Sequence, residues 1–343
     1  MGLKSYIAKR IVYMIVLLFL VITLNFFIFM LMPGDPTTLF VNPMKFTKEE
    51  IETLRNIWGL NDPLHVRYLK YCWNLLTFNF GRSIHTGLSI YDEISWRLPY
   101  TIFLIGGSTI LSMIIGILLG VVVAYKRGTW IDSLNVSFAL TVYSLPVFWM
   151  GLIFLMIFAG HLHWFPLAGA FPREWLLTGK WPQPLASFNI FGLKVTIPSF
   201  VEIFERIRHA FLPLLTLTLF QYGGWLLLTR ATMIEVLTED YILTARAKGV
   251  KTRTMLLKHA LKNASLPLIT SAALSFGFMF SGAIITETVY TWPGMGTFIW
   301  TAIATLDYPV LQAVFFIIAL CVIVANFIAD LTYGTIDPRI KYE

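Results

Sequence analysis

The sequence predicts an all-α membrane protein with six transmembrane helices, and three observations carry that prediction. Hydrophobic residues make up 57% of the 343 residues and charged residues only 13%, where ordinary globular chains hold roughly a quarter charged. A soluble chain of this length could not cover its surface with so few charges. Six apolar stretches, at about residues 11–32, 101–125, 134–159, 210–229, 264–285 and 310–329, contain no Lys or Arg. Each has about 20 residues or more, enough for a helix to cross roughly 30 Å of hydrocarbon. A charge at mid-membrane costs ~2.5–3.5 kcal/mol on the insertion scale, so the missing charges are informative. Mean hydropathy is +0.72, which excludes disorder, and two cysteines, Cys72 and Cys321, exclude a disulfide framework.

The first stretch follows Lys4, Lys9 and Arg10, as a signal peptide would. It is too long for a signal h-region, and Leu31-Met32-Pro33-Gly34-Asp35-Pro36 has no small-residue cleavage pattern. It reads as a retained helix. Orientation follows from the short loops: Lys126 and Arg127 face the cytoplasm, and the loop near Trp292, without Lys or Arg, faces out. Both ends are then cytoplasmic and the net charge of +7 falls on that side. Topology accounts for the charge, and nucleic acid is not needed as a partner.

The first outer segment, about residues 33–99, reads as a small helical subdomain. Thr47-Lys48-Glu49-Glu50 is a helix start with Thr47 as N-cap, and Leu64, Tyr68, Tyr71 and Leu75 repeat at helical spacing after Asp62-Pro63. The second, about residues 160–208, is rich in aromatics, among them Trp164, Trp175, Trp181 and Phe204. Interfacial anchoring explains such residues; stacking on a sugar ring or a peptide side chain is the sharper alternative. His161 and His163 are two apart, so on a helix they point to nearly opposite faces and make a poor metal chelate. Ser108, Ser112, Gly116 and Gly120 place small residues at every fourth position of the second span, which predicts close helix packing.

No Walker-type phosphate cradle, His-Glu-x-x-His or Gly-x-Ser-x-Gly occurs, so catalysis, a metal site and a cofactor site are not expected. The distinctive segment runs from Glu239 to Pro267 on the cytoplasmic side. It reads as a helix, a break at Gly249 and a second, basic amphipathic helix leading into the fifth span. Lys251, Lys258 and Lys262 share one face, and Val250, Leu257 and Leu261 an adjacent one. Such a helix lies on anionic lipid or docks into a groove of a partner protein.

Thr244-Ala245-Arg246-Ala247-Lys248-Gly249, with Lys258-His259-Ala260-Leu261-Lys262-Asn263-Ala264 and Leu266-Pro267, resembles the coupling loop of ABC importer permeases. Ala245 and Gly249 keep the general Glu-Ala-Ala pattern, whereas Leu243 and Thr244 depart from it in the manner of the branch that takes up dipeptides, oligopeptides and nickel. Pro33-Gly34-Asp35-Pro36, Gly59-Leu60-Asn61-Asp62-Pro63, Phe80-Gly81-Arg82-Ser83, Glu287-Thr288-Val289-Tyr290, Trp292-Pro293-Gly294-Met295-Gly296, Asp307-Tyr308-Pro309, Asn326, Asp330 and Asp337-Pro338-Arg339 are similar to that branch along nearly the whole chain. The aromatic stretch at about residues 172–206 is longer than the branch implies.

The resemblance implies a type I ABC importer permease fold. It divides the chain into residues 1–96 (first helix and outer segment), residues 97–330 (transmembrane domain) and a cytoplasmic tail, 331–343. Residues 160–208 are an outer insertion and 231–263 hold the coupling loop. Tyr241, Thr244, Ala245, Arg246, Lys248, Gly249, His259, Asn263 and Pro267 would couple to the ATPases. Glu287, Pro293, Gly294, Gly296 and Asp307 would form an outer gate or turn. Thr270, Ser271 and Ser275 either line the pathway or serve helix packing. Expected partners are a second homologous permease, two cytoplasmic ABC ATPases, which hold ATP and Mg, an extracellular solute-binding protein, and the lipid bilayer. The chain itself would be no enzyme but a multi-pass cell-membrane protein importing peptides. The alternative cargo is an oligosaccharide, motivated by the aromatic segment. A stand-alone channel or ion-coupled transporter is a third reading, but it should carry paired ionisable residues deep in its spans, and none of the six has them.

Overall fold

The computed structural model describes residues 3–31, 62–190 and 193–336. The expected features at Pro33–Pro36, Thr47, Gly59–Asn61 and Asp337–Arg339 lie outside them. Helices dominate: α1 (Leu3–Leu31), α2 (Leu64–Leu76), α3 (Ile90–Tyr125), α4 (Trp130–Ser144), α5 (Val147–His161), α6 (Arg173–Thr178), α7 (Phe200–Leu237), α8 (Asp240–Ala247), α9 (Thr252–Ser281), α10 (Ile284–Val289), α11 (Met295–Ala304) and α12 (Tyr308–Ile336). Five of them are long and apolar enough to cross a membrane, and α4 with α5 makes a further, bent candidate, so the described residues hold five to six membrane-spanning helices.

Three expectations are corrected. The fold is not purely helical, because β1 (Ala186–Ile190) and β2 (Leu193–Ile197) pair antiparallel, with Ala186 opposite Ile197 and Ile190 opposite Leu193. The third span is not one rod: α4 and α5 meet at 97°. Pro146 lacks an amide proton and forces the residue before it out of the helical region, and Leu145 is extended at φ −76°, ψ 136°. The fifth span ends at Ser281 rather than near 285, because Gly282 turns the chain at φ +76°.

The chain divides into two compact units, one of Met1–Pro99, Ala273–Gly282 and Phe298–Glu343, the other of Tyr100–Ala272 and Ala283–Thr297. In the first, α1 packs along α12, and Asn25 Nδ2 donates to the Gln312 carbonyl at 3.0 Å. The expected helix after Pro63 is α2. Its Cys72 and Leu75 are buried, Tyr68 packs edge-on against Phe26, and Leu64 stays exposed.

In the second unit α3 and α7 form the main helix pair, and the row of small residues makes it possible. A Cβ on Gly116 would meet the Trp225 Cβ and lie 2.8 Å from the Tyr222 carbonyl oxygen; one on Gly120 would lie 2.6 Å from the Thr229 Cβ. Ser108 and Ser112 on the same row are fully buried. The α4–α5 pair follows α7 along its length. Asp132 pairs with Arg230, the Ala139 backbone approaches Gly223, and Ala159 clusters with Leu212. The aromatic segment folds on itself: Trp181 stands edge-on to Phe171 at 5.0 Å and tilted to Trp175 at 5.5 Å. Trp175 also packs against a buried cluster that includes Leu104, Phe171 and Trp292.

Candidate functional site

Two groups of residues singled out in the sequence come together in the second unit, each around the end of a short helix. The first is the segment from Glu239 to Pro267. Helix α8 starts after Glu239, with Asp240 in its first turn and Arg246 in its last, both suited to the helix dipole. Ile242 is fully buried in a cluster with Val121, Ala124, Met233, Met255, Ala260 and Ala264, so one apolar side chain seats the helix. Tyr241, Thr244, Arg246 and Lys248 remain exposed. The Thr244 hydroxyl donates back to the Asp240 carbonyl at 3.0 Å, and Ala245 is half-buried.

The break falls where the glycine stands. Gly249 has φ +72°, its amide donates to the Arg246 carbonyl at 2.9 Å, and the Val250 amide reaches back to Ala245 at 3.2 Å. These two bonds are a Schellman closure, which needs a left-handed residue after the cap and takes glycine most cheaply. Nothing lies within 4 Å of a Cβ built there. The glycine therefore serves backbone conformation, and no close approach within this chain calls for it.

Beyond the break α9 carries a π-helical stretch, Met255–Ala260. The wider turn rotates the face deduced from helical periodicity: Met255 and Ala260 are buried, Val250 and Leu261 pack on the same cluster, but Leu257 is 40% exposed. His259 is half-buried. Asn263 Nδ2 donates to the Tyr241 hydroxyl at 2.6 Å, joining α8 to α9 across the break. Pro267 sits exposed inside α9. Thr270, Ser271 and Ser275 are half-buried, and the Thr270 hydroxyl bonds its own helix at the Leu266 carbonyl.

The second group surrounds a buried carboxylate. Glu287 on α10 is fully buried and accepts hydrogen bonds from the Thr101 hydroxyl at 3.1 Å, the Ala283 amide at 3.3 Å and the Thr297 amide at 3.0 Å. Burial raises its pKa, and the Thr297 and Ala283 amides and the Thr101 hydroxyl oppose that rise. Gly294 and Gly296 leave the space: a Cβ on either would lie 2.5 or 2.8 Å from Glu287 Oε2. The Thr101 hydroxyl also receives the Met295 amide at 2.7 Å, so the start of α11 is fastened to α3. Pro293 lies in the turn, bridged by the Gly294 amide to the Trp292 carbonyl at 2.8 Å. Trp292 is buried and its Nε1 donates to the Tyr100 carbonyl at 3.1 Å. Next to it the Tyr290 hydroxyl, pushed up to about 12 by burial, bonds Thr216 at 2.8 Å and the Gly151 carbonyl at 3.2 Å.

Asp307 belongs to the first unit. It is buried and accepts from the Ser83 hydroxyl at 2.5 Å and from the Ile84 and His85 amides at 3.3 and 3.2 Å. There it organises the turn after Gly81-Arg82, a role that its place beside Tyr308-Pro309 in sequence does not announce.

Residues 116–342 match the family described as binding-protein-dependent transport system inner membrane component, and residues 3–105 match the N-terminal region of such membrane components. The chain belongs to that family. It is a multi-pass cell-membrane permease and no enzyme. It is 37% identical over 342 residues to the oligopeptide transport system permease protein AppB of Bacillus subtilis, covering 99% of this chain and 100% of the relative. To the di/tripeptide transport system permease protein DppB of Pseudomonas aeruginosa it is 34% identical over 99% of both chains. To the dipeptide permease DppB of Escherichia coli K12 it is 33% identical over 95% of both. The permease thus matches these relatives over 95% or more of both chains, a span that takes in both the Glu239–Pro267 segment and the Glu287 turn.

The sequence did not single out Asp132 and Arg230, which form a two-pronged ion pair. In the sequence each is only one of the charges flanking the spans. Pairing them requires knowing that the chain restarts a helix at Trp130 alongside α7.

Proposed function

We propose that this permease forms half of the translocation pathway of an ATP-driven importer of di- or oligopeptides. A solute-binding protein would deliver the cargo on the outer side, a second homologous permease would complete the pathway, and two cytoplasmic ATPases carrying ATP and Mg would drive it. End-to-end similarity to three peptide permeases carries the reading. The α8–α9 segment supports the ATPase contact: it presents Tyr241 and Arg246 outward on a helix whose seat is a single buried isoleucine, with Lys248 exposed at its C-cap. In that cycle the ATPases push on α8, the Tyr241–Asn263 bond and the Ile242 seat pass the displacement to α7 and α9, and access alternates between the two sides.

The proposal includes six crossings with both ends cytoplasmic. The bent pair supports it: Asp132 lies beside Arg230 and Ala159 beside Leu212, 18 residues apart along α7, about 27 Å at 1.5 Å per residue. A chain that advances that far travels most of a bilayer rather than turning back. Lys126 and Arg127 before α4 support its cytoplasmic start. Oligosaccharide cargo drew its support from the aromatic segment, whose Phe171, Trp175 and Trp181 are engaged with one another.

The test is reconstitution of the complete complex in liposomes with a panel of labelled di- and oligopeptides and oligosaccharides. Uptake should require ATP and binding protein and select peptides. Oligosaccharide uptake without peptide uptake would overturn the cargo, and ATP-independent uptake would overturn the machine.

A further inference from the structure

Asp132 and Arg230 form the best-organised ion pair in the second unit, and no role assigned so far uses it. Asp132 is the third residue of α4 and 5% exposed. Its Oδ1 accepts from Arg230 Nε at 2.7 Å, and its Oδ2 accepts from Arg230 Nη2 at 2.8 Å and from the Gly128 amide at 3.0 Å. Gly128, at φ +78°, lies in the turn that leaves α3, where the Thr129 amide closes on the Lys126 carbonyl. Arg230 stands one turn before Met233, and Met233 belongs to the cluster that seats α8 through Ile242. The fork therefore joins the α3–α4 turn to α7 at the level where the cytoplasmic helix is held.

Apolar packing alone is non-directional and lets helices slide by small steps. A planar guanidinium held on both carboxylate oxygens fixes distance and orientation together, which a lysine cannot reproduce. We propose that the Asp132–Arg230 fork is a positioning pair for transport, which makes the α3–α4 turn and the last third of α7 move as one piece when α8 is displaced. This rests on the proposed coupling of α8 to an ATPase.

The experiment compares reconstituted complexes of the parent, Arg230→Lys, Asp132→Asn and the exchanged double variant Asp132→Arg/Arg230→Asp. The readout is dipeptide imported per ATP hydrolysed, at matched amounts of assembled complex. A purely structural role lowers the amount of complex and leaves this ratio alone. Both single variants should lower the ratio at least ~5-fold, with partial recovery in the double variant. A parental ratio in both single variants overturns the proposal. If the parent imports no dipeptide, the proposed function fails and the fork is judged separately, as it is if the single variants do not assemble. Spin labels at Trp130→Cys and Glu235→Cys, in a background with both native cysteines replaced, then report the distance across it with and without ATP and vanadate. A distance that stays constant in the parent while the complex cycles supports one rigid piece; a distance that changes with nucleotide overturns it.

Discussion

Helices α8 and α10 end with the same hydrogen-bonded closure but use opposite residues to make it. At the end of α8 the left-handed position is Gly249, with Val250 reaching back to Ala245. At the end of α10 it is Thr291, at φ +51°, with its amide on the Thr288 carbonyl and the Trp292 amide on the Glu287 carbonyl at 2.7 Å. A β-branched residue at positive φ is an outlier, and left-handed backbone costs ~1–2 kcal/mol in a residue with a Cβ. The surroundings explain why α10 tolerates it. The buried Trp292, its bond to Tyr100 and the three donors on Glu287 over-determine the turn, whereas among the described residues nothing lies within 4 Å of a Cβ at Gly249. One closure is imposed by its environment; the other depends on its own backbone and is open for an outside surface to act upon.

The comparison is broken most forcefully at the imposed end. Gly294→Ala would place a methyl 2.5 Å from both Glu287 Oε2 and Thr101 Oγ1, and both atoms are held, Oε2 by the Thr297 amide and Oγ1 between Glu287 Oε1 and the Met295 amide. The expected loss is about 3 kcal/mol, seen as a lower melting temperature and less assembled complex in detergent. Unchanged melting would mean that the Glu287 turn is not tightly held.

Gly249→Val tests the other end. It forces a β-branched residue into the left-handed region at a cost of about 2 kcal/mol, all of it local because no neighbour is struck. The permease should still insert and assemble, with binding-protein-stimulated ATP hydrolysis and uptake lost. Parental stimulation and uptake in liposomes would reduce Gly249 to a helix stop.

The smallest effect is expected of Thr291→Gly. Relief of ~1–2 kcal/mol of left-handed strain is offset by ~0.5–1 kcal/mol of extra chain entropy in the unfolded state. The net gain should be about 0.5 kcal/mol, visible as a slight rise in melting temperature. A clear drop would show that the Thr291 side chain, rather than its backbone, holds the turn.

How far the sequence revealed these features depended on whether local chemistry decided them. Gly249 was legible as the break because a glycine stands there between a polar helix and a basic amphipathic one; its positive φ is what the structure adds. The row from Ser108 to Gly120 was legible because only close packing calls for small residues at that spacing. The inward face of α9 was misread at Leu257, since a π turn leaves no mark in apolar periodicity. Thr291 was invisible as a left-handed residue, because propensity argues against it and only tertiary bonds impose it. Pro146 was in plain view within the third apolar stretch, yet hydropathy averaged over that stretch hides a break.

That break has a consequence for how the permease is made. Helices α4 and α5 each have 15 residues, about 22 Å as a rod, short of the roughly 30 Å that a free-standing span requires. Neither limb can satisfy a bilayer alone, and at the corner the amide of residue 146 is missing. The Ser144 hydroxyl donates to the Thr141 carbonyl at 2.8 Å, and the Leu145 amide to the Val142 carbonyl at 3.3 Å. What completes the segment is α7, through Gly223, Leu212 and Arg230, and α7 leaves the ribosome some forty residues after α5 ends. The bent pair is therefore completed only after a later helix has been made, and until α7 arrives neither of its limbs has the partner that lets it span.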